Sequence, residues 1–270
     1  MARVGLVGNL SIDCIDGAPP RVGGPPYHGA RGLQVLGVPA VVVTKFADAD
    51  RPLVLPPLEA LGPAVHWRAA TTTASYSFGY DGDAREMVVE AVGDRWTTED
   101  AETWAGDALR RVRWLHVGAL ARDEFGADTL ARLARDRRIS FDGQGLTRPS
   151  RTGPLELDGD PDPDVLRHLS ILKLSEEEAH ALVGPRLGER PLYDLGVPEV
   201  VVTLGSRGSL VLERRRLLHV PARPLHGVDP TGAGDAFAAA YLVARSRGHG
   251  PVGAARRATS VVRAVLERAP

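Results

Sequence analysis

Short apolar runs recur along this chain at residues 4–8, 40–44, 114–117, 139–141, 171–174 and 200–204, and helical patterns fall between them at 27–36, 98–109, 124–135, 175–183 and 190–195. Runs this short and continuously apolar suit strands buried on both faces. Strand and helix therefore alternate, which predicts a mainly parallel central sheet with helices on both sides, a three-layer α/β/α sandwich. At 270 residues the chain is near the upper size for one hydrophobic core, so a single domain over 1–270 is expected.

Two stretches interrupt the alternation. Residues 12–22 are too rich in Pro and Gly for a helix, and residues 71–91 place strand-like flanks around Tyr80-Asp81-Gly82-Asp83, a strong hairpin signal. Together they predict a small β-element standing off the main sheet, built from residues 11–22 and 70–92. A second hairpin is expected over 210–220, turning at 213–215, and two helices follow at 233–245 and 251–268.

Composition narrows the partners. With 33 basic and 34 acidic residues the formal net charge is −1, which argues against a polyanionic partner. Lys45 and Lys173 are the two lysines; the arginines are scattered without interleaved aromatics, so no nucleic-acid surface is expected. The single Cys14 excludes an intrachain disulfide and a zinc-thiolate site. No apolar stretch approaches the roughly 18 residues of a membrane helix, and the first residues lack a signal-peptide layout. A cytoplasmic protein without a membrane partner is the expectation.

The sharpest chemical signal is residues 229–237, DPTGAGDAF, directly before a small-residue helix. Gly232, Ala233 and Gly234 leave backbone N–H groups free to converge on an anion where the helix dipole is positive. Asp235 sits in the first turn, where a carboxylate beside such a cradle is placed to accept a proton from an attacking hydroxyl. A glycine-rich turn with a capping aspartate is the structural alternative.

This Gly-Ala-Gly-Asp opening a late helix resembles the hallmark of the ribokinase-like (PfkB) carbohydrate kinases. Gly23-Gly24-Pro25-Pro26-Tyr27 before a helix is similar to the family's early sugar-contacting Gly-Gly motif, and residues 9–13 resemble its first strand end. Thr203-Leu204-Gly205-Ser206-Arg207-Gly208 looks like its nucleotide-contacting turn. The resemblance covers nearly the whole chain in order and implies an ATP- and Mg2+-dependent kinase acting on a hydroxyl of a small sugar or cyclitol, with a β-lid. It implies Asp235 as general base and Asp13, Asn9 and Gly24 as acceptor ligands. Lys173, Thr203, Gly205, Gly208 and Thr259 would lie along the nucleotide.

The chain departs from the family pattern at two positions. His28 stands where the early helix usually has Asn, which leaves the acceptor open. The family's Asn-x-x-Glu motif, which organises magnesium and phosphate, becomes Ser175-Glu176-Glu177-Glu178, so Glu178 is the candidate metal-side residue and Ser175 reads equally as a helix N-cap completed by Glu178. Asp142-Gly143-Gln144-Gly145-Leu146-Thr147-Arg148 follows a strand and, with the lid segment, resembles the branch that includes myo-inositol kinases. Gln144 and Arg148 join the acceptor or phosphate ligands on that basis. A myo-inositol-like polyol is the favoured acceptor; a nucleoside kinase and a non-catalytic sugar or nucleotide sensor are the alternatives.

Other motifs fail. No Gly-x-Gly-x-x-Gly follows the first strand and no Walker loop is present. Asp158, Asp160, Asp162 and Asp164 alternate as in a calcium loop, but Pro163 and Leu169 replace its Gly and Glu. His116 reads best as a core histidine. Monomer and homodimer remain open: Tyr76, Phe78, Tyr80 and Met87 alternate in a way that suits pairing of lids between subunits, covering an apolar face of the substrate, or packing the hairpin.

Overall fold

The computed structural model describes residues 3–81, 84–225 and 227–268. In chain order its strands are β1 (Arg3–Asn9), β2 (Ser11–Ile15), β3 (Arg21–Gly23), β4 (Ala40–Ala47), β5 (Ala64–Ala70), β6 (Ala74–Asp81), β7 (Ala84–Ala91), β8 (Val112–Val117), β9 (Arg138–Asp142), β10 (Gly153–Pro154), β11 (Ile171–Ser175), β12 (Val200–Thr203), β13 (Ser209–Glu213) and β14 (Arg216–Val220). The main sheet runs β14-β13-β12-β11-β9-β8-β1-β4-β5, parallel from β12 to β5 with the β13–β14 hairpin at one edge. Arg214 and Arg215 turn that hairpin with φ of 47° and 67°, the left-handed backbone that a tight hairpin demands.

Both faces of the sheet are covered, as continuous apolar strands require. In β1, Val4 and Leu6 pack with Leu33 and Leu242 on one side while Val7 packs with Leu109 and Leu130 on the other. The helices Pro25–Val35 and Ala233–Ser246 cross closely because both carry small residues: a side chain at Gly32 would meet the Ala236 carbonyl oxygen at 3.0 Å. That close crossing brings the start of each helix to the same place above the sheet.

A second sheet, β10-β7-β6-β2-β3, stands off the main one as the lid. The β6–β7 hairpin is where the Asp-Gly pair predicts it, with turn residues 82–83 and the Tyr80 side chain outside the described residues. β10 is an addition that its Pro-rich sequence conceals.

Two expectations are corrected, and one helix is unanticipated. Residues 98–109 form two short helices, Thr98–Glu102 and Trp104–Ala108, broken at Thr103, whose hydroxyl donates to the Glu99 carbonyl while the Trp104 indole donates to Asp100. Side-chain bonds to nearby groups compete with helix continuation in this way. Residues 124–135 yield a helix only over Ala127–Leu133, because Glu124 turns inward before it. Conversely, Arg51–Glu59 is helical despite Pro56 and Pro57.

Candidate active site

A cleft of about 490 Å³ opens at the carboxyl ends of the parallel strands, roofed by the lid. Open α/β sheets bind ligands at this edge. Asp235 lies in it at the first turn of Ala233–Ser246, 8% exposed, and its Oδ1 has no hydrogen-bond partner among the described residues. Burial first, and then the Asp142 charge, push its pKa up to about 7, against the pull of Lys173 and Arg148.

The glycines before Asp235 have geometric reasons. Gly232 takes φ 76° and a Cβ there would overlap the His28 ring; a Cβ on Gly234 would come within 2.8 Å of Lys173 Nζ. The Ala233 amide is used, donating to the Pro230 carbonyl at 3.0 Å. The cradle therefore rests on the Gly234 and Asp235 amides, which lack intrahelical acceptors at this position. Asp229 Oδ1 accepts the Thr231 amide at 2.9 Å and shapes the loop, and its Oδ2 receives Arg21 of β3 at 2.9 Å, tying lid to cradle.

Lys173 sits between carboxylates, its Nζ 3.4 Å from both oxygens of fully buried Asp142. Burial opposes its charge, but Asp142, Glu178 and Asp235 outweigh it and raise its pKa. Glu178 lines the cleft and its pKa is raised, chiefly by burial. Its Oε2 accepts the Ser175 amide at 2.8 Å while its own amide donates to Ser175 Oγ at 3.2 Å, so the capping box and the cleft-facing role coexist. One lining carboxylate beside Lys173 fits a magnesium ion that arrives on phosphate oxygens, since Mg2+ keeps much of its coordination to phosphate and water. No group of three or more metal-ligating side chains occurs among the described residues.

The end of the cleft away from Glu178 is built by the lid and the first helix. Ser11 Oγ donates to Asp13 Oδ1 at 2.7 Å on β2, and both line the cleft. Gly23 leaves room for the Asp13 carboxylate, and Gly24, at φ 93°, would bring a Cβ within 2.8 Å of the Asn9 carbonyl oxygen. His28, Gln144 and Arg148 also line it. The Tyr76 phenol lies against Arg148; burial pushes its pKa well up and the guanidinium charge partly offsets that. Arg148 Nε is buried without a partner among the described residues.

Other sequence-derived candidates sit elsewhere. Asn9 is consumed structurally: its Nδ2 donates to the Asp94 carbonyl at 2.8 Å and its Oδ1 accepts the Trp96 indole at 2.9 Å. Thr203 Oγ1 donates to the Leu174 carbonyl, and Thr259 Oγ1 donates to the Ala255 carbonyl. Gly208, φ 99°, is tucked under β14, and Gly205 begins a tight turn with Arg207 ion-paired to Glu176. Thr203, Gly205, Gly208 and Thr259 do not line the cleft.

Glu124 lies outside the cleft lining; buried, it accepts the amides of Asn9 (3.1 Å) and Leu120 (2.6 Å), with burial pushing its pKa up to about 7. Ser11 was legible in principle, since period two puts it on the face of Asp13. His116 is a core residue, its Nδ1 3.2 Å from Ser140 Oγ and its pKa pushed down to about 4 by burial.

The fold matches solved structures along its whole length. A pyrophosphate-dependent kinase in the ribokinase family, complexed with a pyrophosphate analog and myo-inositol, superposes with TM-score 0.84 at 22% identity, covering 99% of this chain and 96% of that one. Ribokinase of Arabidopsis thaliana, complexed with ribose and ATP, gives 0.73 at 21%, covering 100% and 94%. These likenesses define the class: a ribokinase-like α/β fold with a β-lid. Residues 149–269, a little under half of the chain, match the model of the pfkB family carbohydrate kinases. Members are phosphotransferases acting on hydroxyl groups. Deoxyribokinase of Salmonella typhi is 44% identical over 52 residues, which is 19% of this chain and 17% of that protein. The chain thus matches less than a fifth of that curated relative's length. No described helix is long and apolar enough to cross a membrane.

Proposed function

We propose that this protein transfers a phosphoryl group from a magnesium-bound polyphosphate to a hydroxyl of a small sugar or cyclitol. The observation that carries this reading is Asp235, which lines the cleft at the first turn of its helix with a buried Oδ1 that has no partner among the described residues. Asp235 takes the proton of the attacking hydroxyl, the Gly234 and Asp235 amides stabilise charge on the transferring group, and Lys173 adds positive charge next to them. Asp13 and Ser11 orient the acceptor, and the lid excludes water that would otherwise hydrolyse the donor. Glu178 holds the magnesium side, where the ion, when bound, neutralises donor oxygens. Replacing Asp235 by Asn lowers turnover by roughly 10²-fold or more. Near-normal turnover in that variant, with a panel of sugars, cyclitols and nucleosides, removes Asp235 from the reaction.

ATP is the donor implied by the family pattern. A second reading, inorganic pyrophosphate, is favoured by one observation: Ser175, Glu177 and Glu178 line the cleft, whereas residues 203–208 and Thr259 do not. The structural neighbour that uses pyrophosphate is consistent with a short donor. Release of ADP from ATP against release of orthophosphate from pyrophosphate, each dependent on acceptor, separates the two.

A further inference from the structure

Arg21 lies outside the cleft lining, yet it joins two parts that meet over the cleft. It opens β3, the three-residue edge strand of the lid, and pairs across the ladder with Asp13 of β2, which does line the cleft. Residues paired across two strands share a face of the sheet, so Arg21 stands on the cleft side of the lid at its outer edge. From there its Nη2 donates to Asp229 Oδ2 at 2.9 Å, across 208 residues of sequence. The other oxygen of the same carboxylate accepts the Thr231 amide at 2.9 Å. That bond, from a side chain to an amide two residues on, turns the chain at 229–231. The Ala233 and Ala236 amides then donate to the Pro230 and Gly232 carbonyls at 3.0 Å each and start the helix that carries Asp235. One carboxylate therefore holds the lid with one oxygen and the cradle loop with the other. Burial opposes the charge on Asp229, but the hydrogen bonds from Thr231 and Arg21 outweigh it and hold its pKa down at about 2.

Both side chains of the pair are about half exposed. Exposed ion pairs add little to a fold, up to about a factor of five in an equilibrium constant. That scale is small against global stability but large enough to bias a lid that opens and closes. We propose that Arg21 is a positioning residue that makes the seating of the lid and the shaping of the cradle at 232–235 one transition, so that an anion in the cradle draws the lid down over Asp13. Such coupling is reciprocal: a ligand under the lid tightens the hold on the anion by the same factor. The inference rests on the kinase reading for which ligands occupy the cleft, and the strap itself is tested without turnover.

Amide hydrogen exchange over residues 11–23 and 229–236 is compared in the wild type, Arg21→Ala, Arg21→Lys, Asp229→Asn and the Arg21→Ala/Asp229→Asn double variant, each free and with saturating magnesium pyrophosphate. Asn at 229 keeps an oxygen for the Thr231 amide and removes the charge. In the free protein both segments are expected to exchange about 2- to 5-fold faster in Arg21→Ala than in the wild type, as loss of an exposed ion pair allows. Arg21→Lys recovers most of the difference, and about 0.5 M NaCl brings the wild type to the rates of Arg21→Ala, because salt screens exposed charges. The double variant exchanges no faster than either single one, since both remove the same interaction. Pyrophosphate slows both segments in the wild type but only 229–236 in Arg21→Ala. Equal slowing of residues 11–23 in the two proteins, or free-protein rates that rise in one segment alone, overturns the inference and leaves the kinase reading standing. A wild type that binds neither pyrophosphate nor ATP, with the free-protein differences as expected, keeps the strap and overturns the kinase reading.

Discussion

Asp235 carries two opposed demands. In the proposed reaction its buried carboxylate takes a proton, but burial beside Asp142 raises its pKa and makes its charged form costly. Because the folded pKa is raised above the ordinary carboxylate value near 3.9, the stability that this group contributes is present at acid pH and is lost as pH rises through about 7. Urea unfolding of Asp235→Asn should therefore show higher stability than wild type at pH 8 and little difference at pH 4. His116, with its pKa lowered to about 4, acts in the opposite sense between there and its unfolded value, so the difference between the two proteins is the quantity to follow. In the wild type, kcat/KM should rise with pH through about 7 as the base loses its proton; a profile flat from pH 5 to 9 contradicts the role of Asp235. Gly232→Ala forces a left-handed alanine against His28, at a cost of about 1–3 kcal/mol, measurable in the same unfolding assay. Glycine spacing revealed this turn. Asn9 was misleading because its position at a strand end is legible, whereas the Trp96 and Asp94 groups that consume its side chain arrive from 85 or more residues away.

The helix Glu176–Val183 shows how one element serves two ends. Ser175 and Glu178 close its N-terminus as a capping box, and the same Glu178 faces the cleft. Ser175→Ala should cost about 1 kcal/mol of stability, as N-cap losses do, with a modest effect on turnover. Glu178→Gln, which retains an oxygen to accept the Ser175 amide, should spare stability and raise the magnesium concentration needed for half-maximal rate. An unchanged magnesium dependence in Glu178→Gln removes that residue from the metal side. Apolar runs identified the strands at the centre of the sheet because those are buried on both faces. The peripheral strand β5 and the helix Arg51–Glu59 escaped, since an alternating edge strand and a proline-containing helix carry weaker patterns than the tertiary contacts that hold them, such as Phe46 stacked on Trp67 at 4.7 Å.

At the scale of the molecule, the crossing of Pro25–Val35 with Ala233–Ser246 brings the starts of both helices into one cleft, which the second sheet covers. The order of motifs along the chain made this arrangement legible; the meeting of Asp13 with Tyr76 in the cleft wall was not, because it depends on the register of β2 on β6. The most direct test of phosphoryl transfer is mass-spectrometric detection of phosphorylated acceptor after incubation with Mg2+ and either ATP or pyrophosphate, wild type beside Asp235→Asn. The expected result is acceptor-dependent product from the wild type and roughly 10²-fold less from the variant. Binding of acceptor and donor without any phosphorylated product from the wild type would contradict the kinase reading and favour a sensor.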